Sequence, residues 1–390
     1  MSASRPRILI VIDYYLPGYR GGGPIRTISH LVDHLGHLFD FSIVTSDRDL
    51  GDAHAYRDVD VNTWHARGRS RVFYRSRGGL RLGRWIQLLR DTPYDLLYLN
   101  SVFSRTTMAL LILRRLGAIP RRPTILAPRG ELSPGAMNLK RRRKHGFLTV
   151  AQRLGLFEGL VWQASSDLER TEILQTLNGT ATRVEVAVDL PPRTQEGLPA
   201  RRMKTQDEAR IVFVSRLVRK KNLDFAIQLL AHTEGRILFD IYGPREDPRY
   251  WNECAALMET LPANVTTAYR GDVAPAAVSE VFTQYDLLLL PTRSENFGYV
   301  ILEALTGGCP VLISDTTPWR NLAEHMAGWD LPLSEPQRFV TMLEQVVAMD
   351  PAEHRRWSEG ARTLAATVSN DENAVNASRL LLDQTLDVRG

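Results

Sequence analysis

The sequence predicts an α/β protein of two domains, each a parallel sheet wrapped on both faces by helices. Three observations predict it. At 390 residues the chain exceeds a typical single core and fits two domains of ordinary size. Short apolar runs of strand type alternate with helical segments twice over, on either side of a polar, proline-bearing, aperiodic stretch from Pro191 to Lys204. The segment Leu287 to Asp315 gives the repeating unit in miniature. An apolar run ends at Pro291, a polar loop carries Glu295, a helical run starts near Gly298 and stops at Gly307-Gly308, and Val311 to Ile313 is a second strand. Ligands of such sheets bind outside the carboxyl ends of the strands, so a cleft between the two domains is expected.

In order along the first domain, Arg7 to Ile12 is a buried-type strand, and the loop behind it leads through Gly21-Gly22-Gly23 into a helix from Pro24 to about Leu35, with proline in the first turn. Strands follow at Phe41 to Thr45, Arg71 to Tyr74, Asp95 to Leu99, Thr124 to Ala127 and Val161 to Gln163. Helices are expected near Arg84 to Arg90, Thr106 to Leu116, Leu139 to Leu154 and Leu168 to Leu177. After the linker the pattern restarts with a strand at Ile211 to Val214, a helix at Asn222 to Ala231 and a strand at Ile237 to Tyr242. A helix at Pro248 to Thr260, a strand at Val265 to Tyr269 and a helix at Ala276 to Phe282 lead into the Leu287 segment. Beyond Trp319 the chain turns mostly helical, near Pro336 to Met349, Glu353 to Ala366 and Asn373 to Leu386.

Composition narrows the class. The two cysteines, Cys254 and Cys309, lie far apart and without ligand spacing, which argues against a disulfide framework and a zinc site and fits a reducing compartment. The apolar run Ile8 to Ile12 is too short for a signal sequence, and no window approaches the ~20 apolar residues of a membrane span. The expected location is cytoplasmic. The net charge of +5 is uneven: residues 1–200 hold 29 Lys+Arg against 18 Asp+Glu, and the remainder is mildly acidic. Much of the excess falls in Arg67 to Arg84 and in Lys140-Arg141-Arg142-Arg143-Lys144. Such clusters suit an anionic membrane surface or a phosphate-bearing acceptor; no nucleic-acid module accompanies them.

Several motifs carry chemistry. Gly22 and Gly23, ahead of a helix, bring backbone N–H groups up to an anion. This is not the dinucleotide fingerprint, which sets its first glycine directly after the strand, so a nicotinamide enzyme is disfavoured. The segment Ser215 to Asn222 follows a strand and places Arg216 and Lys221 at the ligand edge, where such a pair can bind a diphosphate and neutralise it as it leaves. Glu303 sits among Val300, Ile301, Leu302, Ala304 and Leu305 with no Lys or Arg at i±3 or i±4, so a ligand is its natural partner. Tyr242-Gly243 and Arg270 end neighbouring strands and are expected near a nucleobase or phosphate. Asp47-Arg48-Asp49 is a formal Asp-x-Asp, but it lies in a polar loop and is not read as a metal site. His30, His34 and His37 are read as a surface helix face.

The Glu-x7-Glu element from Glu295 to Glu303, set in Pro-Thr-Arg-Ser-Glu-Asn-Phe-Gly-Tyr-Val-Ile-Leu-Glu-Ala-Leu, resembles the retaining glycosyltransferases of family 4, as does Ser-Arg-Leu-x-x-x-Lys at Ser215 to Lys221. The resemblance covers most of the chain. It implies the GT-B fold, two Rossmann-like α/β domains with a cleft between them. Residues 1–195 would bind the acceptor and 205–370 a nucleotide-sugar donor, with the last helix, about 370–390, packing back on the first domain. It further implies that Glu303 binds the ribose and Glu295 contacts the transferred sugar. Arg216 and Lys221 would hold the diphosphate, aided by backbone N–H groups around Asn296, Phe297 and Gly298 and by the loop at Gly22 and Gly23. Arg129, in Pro128-Arg129-Gly130, stands where many members carry histidine and would point into the cleft. Asn222 replaces a common glycine and would alter only the turn. The implied activity is retaining transfer of a sugar to an acceptor hydroxyl, with no metal and no other cofactor. The acceptor is expected to be a glycan or lipid-linked glycan of polysaccharide assembly, reached through peripheral contact with an anionic membrane. The alternatives are a nucleotide-sugar epimerase and a non-catalytic nucleotide-sugar-binding protein.

Overall fold

The computed structural model describes residues 5–76, 81–138, 141–193, 199–274 and 277–387. The chain divides into two units, Met1–Arg193 with Asp371–Gly390, and Thr194–Asn370. Arg77 and Lys140 of the two arginine-rich segments, the first residues of two expected helices (Leu139 and Ala276), and 194–198 of the expected linker lie outside the described residues.

The first unit runs β1 (Arg7–Val11), α1 (Gly23–Leu35), β2 (Asp40–Ser46), β3 (Trp64–Arg67), β4 (Ser70–Arg75), α2 (Leu82–Asp91), β5 (Leu96–Asn100), α3 (Arg105–Arg115), β6 (Thr124–Ala127), α4 (Pro134–Asn138), α5 (Arg141–Arg153), β7 (Leu160–Ala164), α6 (Asp167–Leu177) and β8 (Val184–Val186). The sheet order is β3-β4-β2-β1-β5-β6-β7-β8. Successive strand residues point to opposite faces: Leu9 and Val11 enter one apolar core, while Ile8 and Ile10 enter another with α1. A sheet buried on both faces explains why these strands read as unbroken apolar runs. The topological switch falls between β1 and β5.

The second unit runs β9 (Glu208–Val214), a 3-10 turn (Arg219–Lys221), α7 (Leu223–Leu230), β10 (Arg236–Tyr242), α8 (Pro248–Glu259), β11 (Val265–Gly271), α9 (Val278–Phe282), β12 (Leu287–Leu290), α10 (Tyr299–Thr306), β13 (Val311–Ser314), β14 (Gly328–Leu331), α11 (Pro336–Ala348) and α12 (Pro351–Ser369). Its sheet is parallel, ordered β11-β10-β9-β12-β13-β14, with the switch between β9 and β12. The chain is already fastened to this unit at Arg201, which donates to the carbonyls of Phe282 and Tyr285, and at Arg202, whose guanidinium grips both oxygens of Asp286 at 2.8 and 2.9 Å. The last helix, α13 (Glu372–Leu386), belongs to the first unit, where Ala374, Leu381 and Leu382 join the core with Ile25 and Ile28 of α1.

Three strands went unforeseen. β3 is an antiparallel edge partner of β4 across the Gly68 turn, and its sequence, Trp-His-Ala-Arg, has no apolar run to announce it. β8 and β14 are edge strands of three and four residues. The histidines of α1 also depart from the surface reading. His30 Nδ1 bonds to the Leu190 carbonyl at 2.9 Å and His34 Nε2 to that of Pro191 at 3.0 Å, tying the helix to the end of the first unit's main segment.

Candidate donor site

The topology of the second unit decides what meets what. At the switch between β9 and β12, the loop leaving β9 (Ser215 to Asn222) and the loop leaving β12 (Pro291 to Gly298) lie side by side at the carboxyl edge, where open α/β sheets take their ligands. Hydrogen bonds stitch them together. Arg293 N–H donates to the Lys220 carbonyl at 2.9 Å, and the Thr292 hydroxyl donates to the same oxygen at 3.2 Å. Asn222 contributes most. It is buried and left-handed at φ 63°, which asparagine tolerates, as the turn requires. Its side chain also donates to the Pro291 carbonyl at 3.0 Å and accepts from Arg293 Nε at 3.1 Å. A glycine would adopt the turn but make neither bond.

This stitching brings the predicted residues together. Lys221 Nζ and a Glu295 carboxylate oxygen form an ion pair, with side chains only 13% and 10% exposed. Removing two charges from water costs about as much as their attraction returns, so such a pair is weak evidence for stability, and it is its place at the switch point that marks a candidate site. Arg216, on the same loop, pairs with Glu246 at 3.1 Å. Glu246 comes from the loop after β10, which crosses the Arg216 loop closely. Leu217 N–H donates to the Pro244 carbonyl at 2.9 Å, and a Cβ on Gly243 would collide with the Ser215 carbonyl. That close approach, at φ 129°, is why glycine occupies position 243.

Beyond Glu295, Asn296 is half-buried, Phe297 is buried against Tyr299 and Trp319, and the Trp319 indole donates to the Phe297 carbonyl at 2.7 Å. Gly298 then begins α10 in the left-handed region at φ 81°, without a side-chain cap, so the positive end of the helix is turned to this loop. Glu303 lies one turn further on, half-buried among buried neighbours. Tyr242 and Arg270 converge on Asp240: the Tyr242 hydroxyl meets that of Tyr285 at 3.1 Å, Tyr285 donates to Asp240 at 2.7 Å, and Arg270 pairs with Asp240 at 3.1 Å. Cations and a helix terminus can hold a diphosphate, while carboxylates accept from sugar hydroxyls.

The remaining predicted residues belong to the first unit. Gly22 and Gly23 form the uncapped N-terminus of α1. Their loop is braced by Asp49, which accepts from the backbone N–H of Tyr19 (2.7 Å) and Arg20 (2.9 Å), while Asp47 pairs with Arg48 at 2.8 Å. Arg129 differs from the expectation of a guanidinium projecting from the strand end. Its side chain is 5% exposed and pairs at 2.7 Å with Asp189, which is 3% exposed, while bonding Asn100 Oδ1 at 3.1 Å and the Tyr98 hydroxyl at 2.9 Å. Left-handed Arg129 and Gly130 turn this side chain inward. Glu131 and Glu169, unnoticed in the sequence, fix the same loop. Glu131 accepts from Ser101 and from the N–H groups of Val102 and Phe103, with its carboxyl pushed up by burial; Glu169 accepts from the Gly130 and Ser165 N–H groups.

Two parallel-sheet units, the second with a basic loop beside a carboxylate-bearing helix start, are the arrangement of GT-B glycosyltransferases, and this chain has that fold. Sucrose-phosphate synthase from Thermosynechococcus elongatus superposes with a TM-score of 0.71 at 16% identity, covering 98% of this chain and 100% of that one. Anabaena Alr3699/HepE, solved in complex with UDP and glucose, gives 0.67 at 17% identity, with the same coverage of 98% and 100%. Residues 195–364 match the family model described as "Glycosyl transferases group 1", which falls within the second unit almost end to end. The GtfA subunit of the UDP-N-acetylglucosamine–peptide N-acetylglucosaminyltransferase of Streptococcus pneumoniae is 30% identical over 114 residues, 28% of this chain. That match spans only 21% of the relative's length.

Proposed function

We propose that the chain is a retaining glycosyltransferase. In this reading the second unit binds a nucleotide-sugar donor, and the first binds an acceptor whose hydroxyl receives the sugar, a lipid-linked or surface glycan in polysaccharide biosynthesis. The observation that carries the reading is the Lys221–Glu295 pair, held nearly out of water at the switch point of the second unit, with Arg216 and the uncapped start of α10 on the same edge. Lys221 and Arg216 take the diphosphate and stabilise it as it departs, a task for which no metal ion is invoked. Glu295 then accepts from hydroxyls of the sugar, Glu303 from the ribose. Asn296, Phe297 and Gly298 present backbone N–H groups to the phosphates, Gly22 and Gly23 offer theirs from the first unit, and Tyr242, Gly243 and Arg270 border the nucleotide. The departing phosphate oxygen assists the acceptor hydroxyl on the same face of the sugar, so the protein works by positioning and charge stabilisation.

The test is nucleotide release from a panel of sugar nucleotides, with and without a lipid-extract acceptor and with and without a chelator, followed by NMR of the product's anomeric centre. Acceptor-dependent release, indifferent to chelator and with the donor's configuration kept, is expected. Glu295→Ala and Lys221→Ala should each lower kcat/KM by about 100- to 1,000-fold. Transfer untouched by both substitutions sinks the mechanism, and binding without release makes the chain a nucleotide-sugar-binding protein instead. We further propose that it works in the cytoplasm against the anionic inner face of the membrane. No helix among the described residues is long and apolar enough to cross one, and the support for surface contact is the basic helix α5, treated below.

A further inference from the structure

The first unit has its own switch point, between β1 and β5, and a cavity of about 710 Å³ opens there at the carboxyl edge of the sheet. That volume lies within the range of small-molecule sites. Three arginines and three aspartates line it, and three of the six are engaged outside it: Asp49 with the loop N–H groups, Arg48 with Asp47, and Asp52 with Arg20 at 2.5 Å. Asp13, Arg75 and Arg105 are the charged groups left to the cavity. Asp13 bridges the switch. Its Oδ1 accepts from the Ser104 hydroxyl at 2.9 Å and lies 3.5 Å from the Arg75 guanidinium, while Oδ2 has no partner among the described residues. Arg75 Nε is buried and without a hydrogen-bond partner there, whereas the Asp13 side chain is 35% exposed. Tyr14, Trp85 and Phe103 supply aromatic wall.

We propose that this cavity is a saccharide site that seats an uncharged glycosyl residue of the acceptor; the word acceptor rests on the transfer reading above, whereas saccharide binding does not. The carboxylate accepts from one sugar hydroxyl while the guanidinium beside it donates to the next, and the aromatic wall covers the C–H face of the ring. A phosphate in the same place would lie against Asp13 and meet like charge. The lining is balanced in charge, unlike an anion pocket, so the basic excess of the first unit lies elsewhere.

The test uses the full chain and ligand-observed NMR with methyl glycosides of glucose, galactose, mannose and N-acetylglucosamine, alongside the same sugars as 1-phosphates. Binding of UDP, GDP and ADP is followed by calorimetry in parallel. At least one methyl glycoside is expected to bind, Asp13→Asn to weaken it about tenfold, and Ala109→Phe, which fills the cavity from α3, to abolish it. Nucleoside diphosphate binding should stay within about twofold in both variants, which also reports that they are folded. Glycoside binding indifferent to both substitutions, binding of the 1-phosphates alone, or no glycoside binding at the highest soluble concentration overturns the proposal. If glycosides bind as expected while no sugar nucleotide is turned over, the transfer reading fails and the saccharide site stands.

Discussion

Arg129 and Asp189 show what a buried ion pair does at the scale of one residue. The Arg129 side chain is only 5% exposed, and its guanidinium is committed to the loop it holds. Removing one member leaves the other charge unpaired out of water, which costs about 3–5 kcal/mol. Asp189→Ala is therefore expected to lower unfolding free energy by about that amount in denaturant titrations, and Arg129→Lys to recover little, because an ammonium cannot reproduce the fork reaching Asp189, Asn100 and Tyr98 together. A variant of full stability with a selectively reduced kcat would show the opposite, a direct part in the chemistry. The contrast with Glu295 and Lys221 explains what a sequence discloses. Glu303 was legible because its helical neighbours are all apolar, and Lys221 because it follows a strand. Arg129 also follows a strand, and its identity as a support depends on Asp189, sixty positions away and unmarked by any local pattern. Glu246, the partner of Arg216, was hidden for the same reason.

At the scale of elements, α5 combines with α3 in a way neither shows alone. Arg115 Nε of α3 donates to the Leu154 carbonyl at the end of α5 at 3.1 Å, bringing their C-terminal ends together. Leu116, Val150 and Leu154 are each more than half exposed there, and Ile112 is exposed as well, with Arg141, Arg142 and Arg143 exposed at the start of α5. Exposed aliphatic side chains at one end of α5 and exposed arginines at the other fit an anionic lipid surface, each basic residue contributing ~1 kcal/mol near it. Reversing Arg141, Arg142 and Arg143 to Glu should weaken cosedimentation with phosphatidylglycerol vesicles by at least about 100-fold, and Leu116→Glu should weaken it at high salt, where charge is screened. Equal binding by the triple variant would remove the membrane from the proposal. Strongly patterned elements such as α1, β1, β12 and α10 are readable from the chain. The edge strands β3, β8 and β14 are not: β3 and β8 are only part-buried and exist through pairing with a neighbour, and β14, though buried, reads Gly-Trp-Asp-Leu with no apolar run.

Across the whole molecule, each unit carries a histidine kept neutral in its interior. Burial holds both His30 and His354 down to about 4, against 6.5 for a free ring, and each bonds a backbone carbonyl, Leu190 and Asp286 respectively. Because these pKa values are lower folded than unfolded, the stability they contribute is complete above pH 6.5 and is withdrawn as pH falls toward 4. A tenfold loss of proton affinity corresponds to ~1.4 kcal/mol, so a ring held from 6.5 down to about 4 stands for roughly 3.5 kcal/mol. The melting temperature should therefore fall between pH 6.5 and 4.5, and His354→Gln should flatten that slope; parallel slopes for variant and wild type would refute the account. The placement of α13 has a consequence for the order of events during synthesis. Residues of the first unit emerge from the ribosome both before and after the whole of the second, so the second can close its core while the first still lacks a helix. Until α13 arrives, the surface of α1 that it covers has no lid within its own unit, and an apolar stripe is left for a chaperone or a neighbouring chain to find.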